Sequence, residues 1–243
     1  GADTVTQDDG QKAGAVTATI NGSVTATGAA GRGVFLQSQG LNGNGKLYVD
    51  VAGGASIIAG SQTSEAILLG SGNSENTIDN YGTISRSETG DGAVQGYAVK
   101  THDGVVTVNN HGIFEGSVSL VGEKDNGSSV TNAFNNINRL SLGTIFDLGN
   151  TASTLNNTGL MTAGAFGEVG TEDESAIGTS TFTGTVNQGS EGTLWVDYDF
   201  SSNGDLIDVT SGSATLDGVV YANPVADVPT DQEDGAVTVL MAP

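Results

Sequence analysis

Thr77-Ile78-Asp79-Asn80-Tyr81-Gly82-Thr83-Ile84 is echoed by Thr107-Val108-Asn109-Asn110-His111-Gly112-Ile113-Phe114, and again by Thr154-Leu155-Asn156-Asn157-Thr158-Gly159-Leu160-Met161. The shared pattern is apolar, Asp or Asn, Asn, any residue, Gly, any residue, apolar. Ile20-Asn21-Gly22-Ser23-Val24 and Val186-Asn187-Gln188-Gly189 are weaker copies. Asn80 and Asn110 stand 30 residues apart, and Asn110 and Asn157 stand 47 apart, which is room for two coils. A unit repeated in order at such a period points to stacked coils. The apolar residues flanking the bend face a core. Asn and Gly both tolerate left-handed backbone angles and so suit the corner. Stacked corners lie about 4.8 Å apart, and their Asn side chains are expected to hydrogen-bond up the ladder. The expected corner residues are Asn80, Gly82, Asn110, Gly112, Asn157 and Gly159. The competing arrangement is a sandwich of hairpins with Asn-Gly-like turns. Its turn signals recur every ~8–12 residues, closer than the spacing here.

Outward from these units, short strand-like runs continue to both ends. They include 16–27, 33–37, 46–51, 55–59, 66–69, 97–100 and 105–108, then 117–121, 140–142, 144–148, 180–186, 193–200, 206–209, 214–222 and 236–241. Each is bounded by Gly, Asn, Asp or Ser. No stretch has a helical period with caps. Residues 133–140 are expected to form a helical turn at most. The reading is an all-β chain, a right-handed single-stranded parallel β-helix. Residues 1–191 carry the repeats, and 192–243 form C-terminal capping coils continuous with them.

Composition agrees. Glycine is 38 of 243 residues and proline 3, so the glycine belongs neither to collagen nor to a Pro/Gly linker. The apolar residues are mainly Val, Ile, Leu and Ala among Thr and Ser, a vocabulary that suits strands. Seven Lys and Arg against 28 Asp and Glu give a net charge of −21. That field repels phosphate backbones and anionic lipid, so no nucleic-acid partner and no membrane insertion of this segment are expected. Cysteine is absent, which excludes disulfides and thiolate metal sites. No signal-peptide pattern opens the chain, and Gly1 is expected to be the start of a processed or recombinant product.

The repeat units resemble the passenger repeats of Gram-negative type V autotransporters. A second match is more specific. Gly192-Thr193-Leu194-Trp195-Val196-Asp197-Tyr198-Asp199-Phe200 leads through Asn203-Gly204 into Asp205-Leu206-Ile207-Asp208-Val209 and Gly212-Ser213-Ala214-Thr215-Leu216-Asp217-Gly218-Val219-Val220. This block, with Gly235-Ala236-Val237-Thr238-Val239-Leu240 after it, is similar to the family's C-terminal passenger region, which caps the helix and nucleates folding after export. The resemblance covers residues from about Val16 to Leu240. It implies a pertactin-like passenger at the cell surface or outside a Gram-negative bacterium, in a native chain that continues into an outer-membrane β-barrel. The family includes adhesins, self-associating proteins, proteases and esterases, so function rests on the residues.

Little in those residues points to catalysis. There is no Gly-x-Ser-x-Gly elbow. Lys100-Thr101-His102-Asp103 is the one place where a base, an acid and a cation cluster, and a strand there would put Lys100 and His102 on one face. His111 reads as a solvated turn residue. Asp197, Asp199, Ser201, Asn203, Asp205 and Asp208 fall at EF-hand-like spacings, but the sixth place is Ser202 instead of Gly and the last ligand is Asp instead of Glu. Asp197, Asp199, Asp205 and Asp208 are therefore weak metal candidates, for loosely bound calcium at most, and alternation places Asp197 and Asp199 on an outer acidic face. The acid-rich 172–174 and 231–234 read as solvated excursions. No other cofactor is expected, and the tyrosines form no evident sugar platform. The expectation is a non-enzymatic adhesin or self-associating surface protein, whose partners are a second copy, a surface or a glycan. A carbohydrate-active β-helix and a stalk for another head domain are the alternatives.

Overall fold

The computed structural model describes residues 12–60, 63–72, 75–86, 96–122, 130–166, 177–199, 203–225 and 236–243. Phe200, Ser201, Ser202 and residues 172–174 and 231–235 lie outside them. The chain climbs coil by coil. The first coil holds β1 (Val16–Ile20), β2 (Ser23–Ala26) and β3 (Arg32–Leu36), and the second β4 (Leu47–Val51), β5 (Ser56–Ala59) and β6 (Glu65–Leu69). Then come β7 (Asn76–Asn80), β8 (Thr83–Arg86) and β9 (Tyr97–Thr101), followed by β10 (Val106–Asn110) and β11 (Ile113–Ser119). Above them lie β12 (Ala133–Asn136) with β13 (Arg139–Asp147), and β14 (Thr154–Asn157) with β15 (Leu160–Thr162). The last are β16 (Thr179–Gln188), β17 (Thr193–Tyr198), β18 (Leu206–Leu216), β19 (Val219–Pro224) and β20 (Leu240–Met241). Among the described residues there is no helix.

Every pairing between these strands is parallel, and the pairings build three faces. One face runs β1–β4–β7–β10–β12–β14–β16–β18. The second runs β2–β5–β8–β11–β13–β15–β17–β19. The third starts at β3–β6–β9, continues through the far ends of β11 and β13 and the near ends of β16 and β18, and closes on β20. The stacking crosses residues 191 and 192 without a break. This is the parallel β-helix expected from the repeats.

The core follows from register. On the first face Val49, Ile78, Val108, Phe134, Leu155 and Val186 stand one above another. Ile57, Ile84, Phe114, Leu140, Met161 and Leu194 do so on the second. Ile67, Val99, Val118, Phe146, Phe182 and Val209 do so on the third. Four phenylalanines fill the middle: Phe114 meets Phe134 edge-on at 5.0 Å, Phe134 meets Phe146 at 5.1 Å, and Phe146 stacks on Phe182 at 5.7 Å. Each ring comes from a different face from its neighbour until the last pair, so the cluster ties the three sheets together.

Two expectations need correction. Residues 133–140 form β12 and the start of β13, not a helical turn. Phe134 stacks on Val108, and Asn135 and Asn136 stack on Asn109 and Asn110, so the coil's register overrides a weak local helical preference. The glycines of the corner also serve a different purpose. Gly82, Gly112 and Gly159 do not take the left-handed φ that Gly54 or Gly218 adopts. A Cβ on Gly112 would lie 2.1 Å from the Gly82 carbonyl oxygen, and one on Gly159 would lie 2.2 Å from that of Asn138. Closeness of the stacked corners excludes the side chain.

Candidate functional site

The corner asparagines end their strands and point inward, where four of them are fully buried. Asn80 Nδ2 donates to Asn110 Oδ1 at 2.8 Å, Asn110 Nδ2 to Asn136 Oδ1 at 2.8 Å, and Asn136 Nδ2 to Asn157 Oδ1 at 2.7 Å. Asn157 donates onward to Gln188 Oε1 at 3.4 Å, and Gln188 to the Asp217 carbonyl at 2.7 Å. The same amides cap carbonyls of the coil above, at Ile113, Arg139 and Leu160. Each buried amide is thereby satisfied, and the bonds all point toward the C-terminus. Asn136 was the missing member, and its signal was the doubled Asn135-Asn136 within the 47-residue gap, while Gln188 takes the corner place in the partial copy Val186-Asn187-Gln188-Gly189.

The residue before each corner asparagine points outward and forms a second ladder running the other way. Asn109 Nδ2 donates to Asp79 Oδ1 at 2.7 Å, Asn135 to Asn109 at 2.9 Å, Asn156 to Asn135 at 2.9 Å, and Asn187 to Asn156 at 3.2 Å. Two residues earlier on each strand stand Thr77, Thr107, Ala133, Thr154 and Thr185. The first face thus presents two straight half-buried rows, one of amides and one of hydroxyls interrupted at Ala133, with rungs about 4.8 Å apart. From Thr107 to Asn187 these rows carry no charge. Nearer the N-terminal end Tyr48 donates to Asp79 at 2.8 Å, and that hydrogen bond holds the phenol up to about 12. At the corner itself Tyr81 and His111 stack at 4.6 Å, so His111 is half-buried against a ring.

The acidic candidates sit elsewhere. Asp197 is fully buried, not on an outer acidic face. It accepts from Trp195 Nε1 at 2.8 Å and from Asn223 Nδ2. Those donors make burial of a carboxylate tolerable where alternation predicts solvent. Asp199 accepts from the backbone and side-chain nitrogens of Asn203 at 2.9 and 2.7 Å. Asp205 is buried and accepts from Thr162 Oγ1 at 2.7 Å, the Gly178 amide at 2.8 Å and the Asp197 amide at 3.1 Å. Asp208 lies farther along β18, half-buried. The Tyr198–Gly204 bridge joins the two segments that carry Asp197, Asp199 and Asp205, and protein donors reach oxygens of all three. Among the described residues no group of three or more His, Cys, Asp or Glu is placed to hold a metal ion. Lys100 lies over the Tyr97 ring at 5.2 Å, and His102 stands exposed past the end of β9.

Burial pushes the Asp205 carboxyl up to about 6, against the pull of its three donors. The folded-state pKa is above the ordinary 3.8, so the folded chain holds this proton more tightly than the unfolded one. The associated stability is complete below about pH 4 and is lost as pH rises through about 6. From about pH 4 to about pH 7 the native chain is expected to lose roughly 2–3 kcal/mol more than Asp205→Asn, read by urea unfolding. Parallel profiles would contradict this assignment.

A cavity of about 530 Å³ opens on the second face, at its corner with the third. Arg86, Glu115, Arg139, Ser141, Thr144 and Phe166 are among its walls. The Arg139 guanidinium covers the Phe166 ring at 4.2 Å, Phe166 meets Trp195 at 6.1 Å, and Trp195 meets Tyr221 at 4.5 Å. Of the tyrosines, for which no platform was expected, Tyr221 joins this row. Residues 139, 166, 195 and 221 are each about one coil apart, and that periodicity was the available signal.

No protein-family model, no curated protein and no solved structure matches the chain.

Proposed function

We propose that this chain is a passenger segment of the autotransporter type, displayed at the surface of a Gram-negative bacterium, and that it acts as an adhesin by pairing with a second copy of itself. The observation that carries the reading is the uncharged pair of rows from Thr107 to Asn187 on the first face. Two molecules of net charge −21 repel, and contact between them is least costly where charge is sparse. In the outer ladder Asn109 and Asn135 each use one N–H and one acceptor position within the row, while Asn156 gives its second N–H to Thr154 Oγ1 at 3.4 Å. Spare donors and acceptors therefore remain on several rungs, so two copies laid face to face gain a number of weak hydrogen bonds at once. Absence of cysteine suits export, and the ordered repeats suit a passenger that continues into an outer-membrane barrel.

Sedimentation against concentration tests the pairing. The native chain is expected to dimerise reversibly, with and without added calcium. Thr107→Glu with Thr154→Glu places like charges on the facing rows and is expected to weaken the dimer at least about tenfold, at unchanged circular dichroism. A strict monomer at high concentration, or a dimer indifferent to the two substitutions, would count against the reading.

A further inference from the structure

We infer that the two ends of the β-helix are complementary, and that a second copy seats its first coil on the last coil of this one, so that chains grow end to end. This surface is distinct from the first face and does not rest on side-by-side pairing. β1, β2 and β3 are the lowest strands of the three faces, and β18, β19 and β20 the highest. Among the described residues no strand pairs below β1, β2 and β3, above β19, or above β18 beyond Asp208. Such unpaired edges are templates for a further strand. Followed rung by rung, Ala18, Ile20 and Val24 begin the columns that end in Ala214, Leu216 and Val220. The first three and Ala214 are half-buried, and Leu216 and Val220 are 37% and 50% exposed. In the corner column the polar ladder begins at Asn80 and stops at Gln188, with Ile20 and Val51 below it and Leu216 above. Stacking sets Ile20 of one copy on Leu216 of another, apolar on apolar, and buries no unpaired amide.

The corner loops and the charges fit as well. Asn21-Gly22 and Asp217-Gly218 are two-residue corners like Tyr81-Gly82 and His111-Gly112. Gly112 lacks room for a Cβ because the Gly82 carbonyl oxygen of the coil below would lie 2.1 Å from it. A Cβ on Gly22 would meet nothing within 4 Å, and Gly22 does not take a left-handed φ, so nothing among the described residues requires glycine there. Gly218 of a copy below supplies the carbonyl that the single chain lacks at this corner. After the aspartates of 1–9, residues 10–49 hold Lys12, Arg32 and Lys46 and no Asp or Glu, whereas 140–243 hold no Lys or Arg. Unlike ends therefore attract and like ends repel. The contact is head to tail, and a contact of that kind without closure builds an open filament.

Sedimentation against concentration tests this in the full chain carrying Thr107→Glu and Thr154→Glu, where side-by-side pairing is suppressed. Its mass is expected to rise past the dimer without a plateau. Adding Gly22→Val at the lower corner, or Val220→Lys at the upper end, is expected to weaken that growth at least about tenfold, at unchanged circular dichroism. Should Gly22→Val fail to fold, Val220→Lys decides. The register has its own readout. Chains with Ile20→Cys and chains with Leu216→Cys, mixed and oxidised, are expected to form the mixed disulfide at least about tenfold over either homodimer, since stacked rungs lie about 4.8 Å apart. A strict monomer, growth that stops at the dimer, growth indifferent to Val220→Lys, or homodimers as abundant as the mixed product overturns the proposal. If side-by-side pairing is what fails, the native chain and the Thr107→Glu, Thr154→Glu chain grow alike, so the two readings fail separately.

Discussion

Replacing Phe134 by alanine is expected to destabilise the chain by about 3–5 kcal/mol. The ring is fully buried and lies 5.0 Å from Phe114 and 5.1 Å from Phe146, which belong to the other two faces. Its loss removes transfer free energy and leaves a void. The void cannot close readily, because backbone ladders above and below hold each coil at a set height. Denaturant unfolding measures the cost. Phe35→Ala serves as the comparison, since that ring is 47% exposed and packs beside Arg32, and a change of about 0.5 kcal/mol is expected. Equal costs at the two positions would contradict the placement of Phe134 at the junction of the sheets.

The second large effect separates the two asparagine ladders. Asn110→Ala removes the acceptor of Asn80 Nδ2 and the donors to Asn136 Oδ1 and to the Arg139 carbonyl, all inside the corner. A buried polar group stranded in this way costs about 1–3 kcal/mol, so roughly 2–5 kcal/mol is expected in total. Asn109→Ala, one residue away, breaks bonds to Asp79 and Asn135 on the half-buried outer row. Water can replace those partners, and about 0.5–1.5 kcal/mol is expected. Unfolding both variants in urea gives the comparison. If Asn109→Ala costs as much as Asn110→Ala, the inner ladder does not hold the corner.

Why the fold was readable while much of the site was not follows from where information sits in a solenoid. The Asn-Asn-x-Gly unit repeats within the chain, so its period shows without any three-dimensional knowledge, and Asn80, Asn110 and Asn157 mark the corner directly. Asn136 escaped because Asn138 stands where the other coils have glycine and Phe134 breaks the run of aliphatic residues. The purpose of Gly112 was hidden for another reason. Its constraint is the Gly82 carbonyl of the coil below, a contact 30 residues away in sequence. The buried Asp197 escaped a two-residue alternation because β17 buries Val196 and Asp197 in succession. The cavity was least legible. Arg86, Glu115, Arg139 and Phe166 share no motif, and only the heights of their coils bring them together.

Disulfide trapping between rungs tests the stacked-coil fold most directly, and the chain has no native cysteine to interfere. Thr107 and Ala133 are parallel partners on adjacent rungs, and Thr154 stands on the rung beyond. Adjacent rungs are about 4.8 Å apart, within the ~4.4–6.8 Å that a disulfide spans between Cα atoms. Thr107→Cys with Ala133→Cys is expected to close into an intramolecular disulfide with the fold retained, while Thr107→Cys with Thr154→Cys stays reduced. Failure of the first pair to close, or equal closure of the second, would contradict the parallel in-register stack.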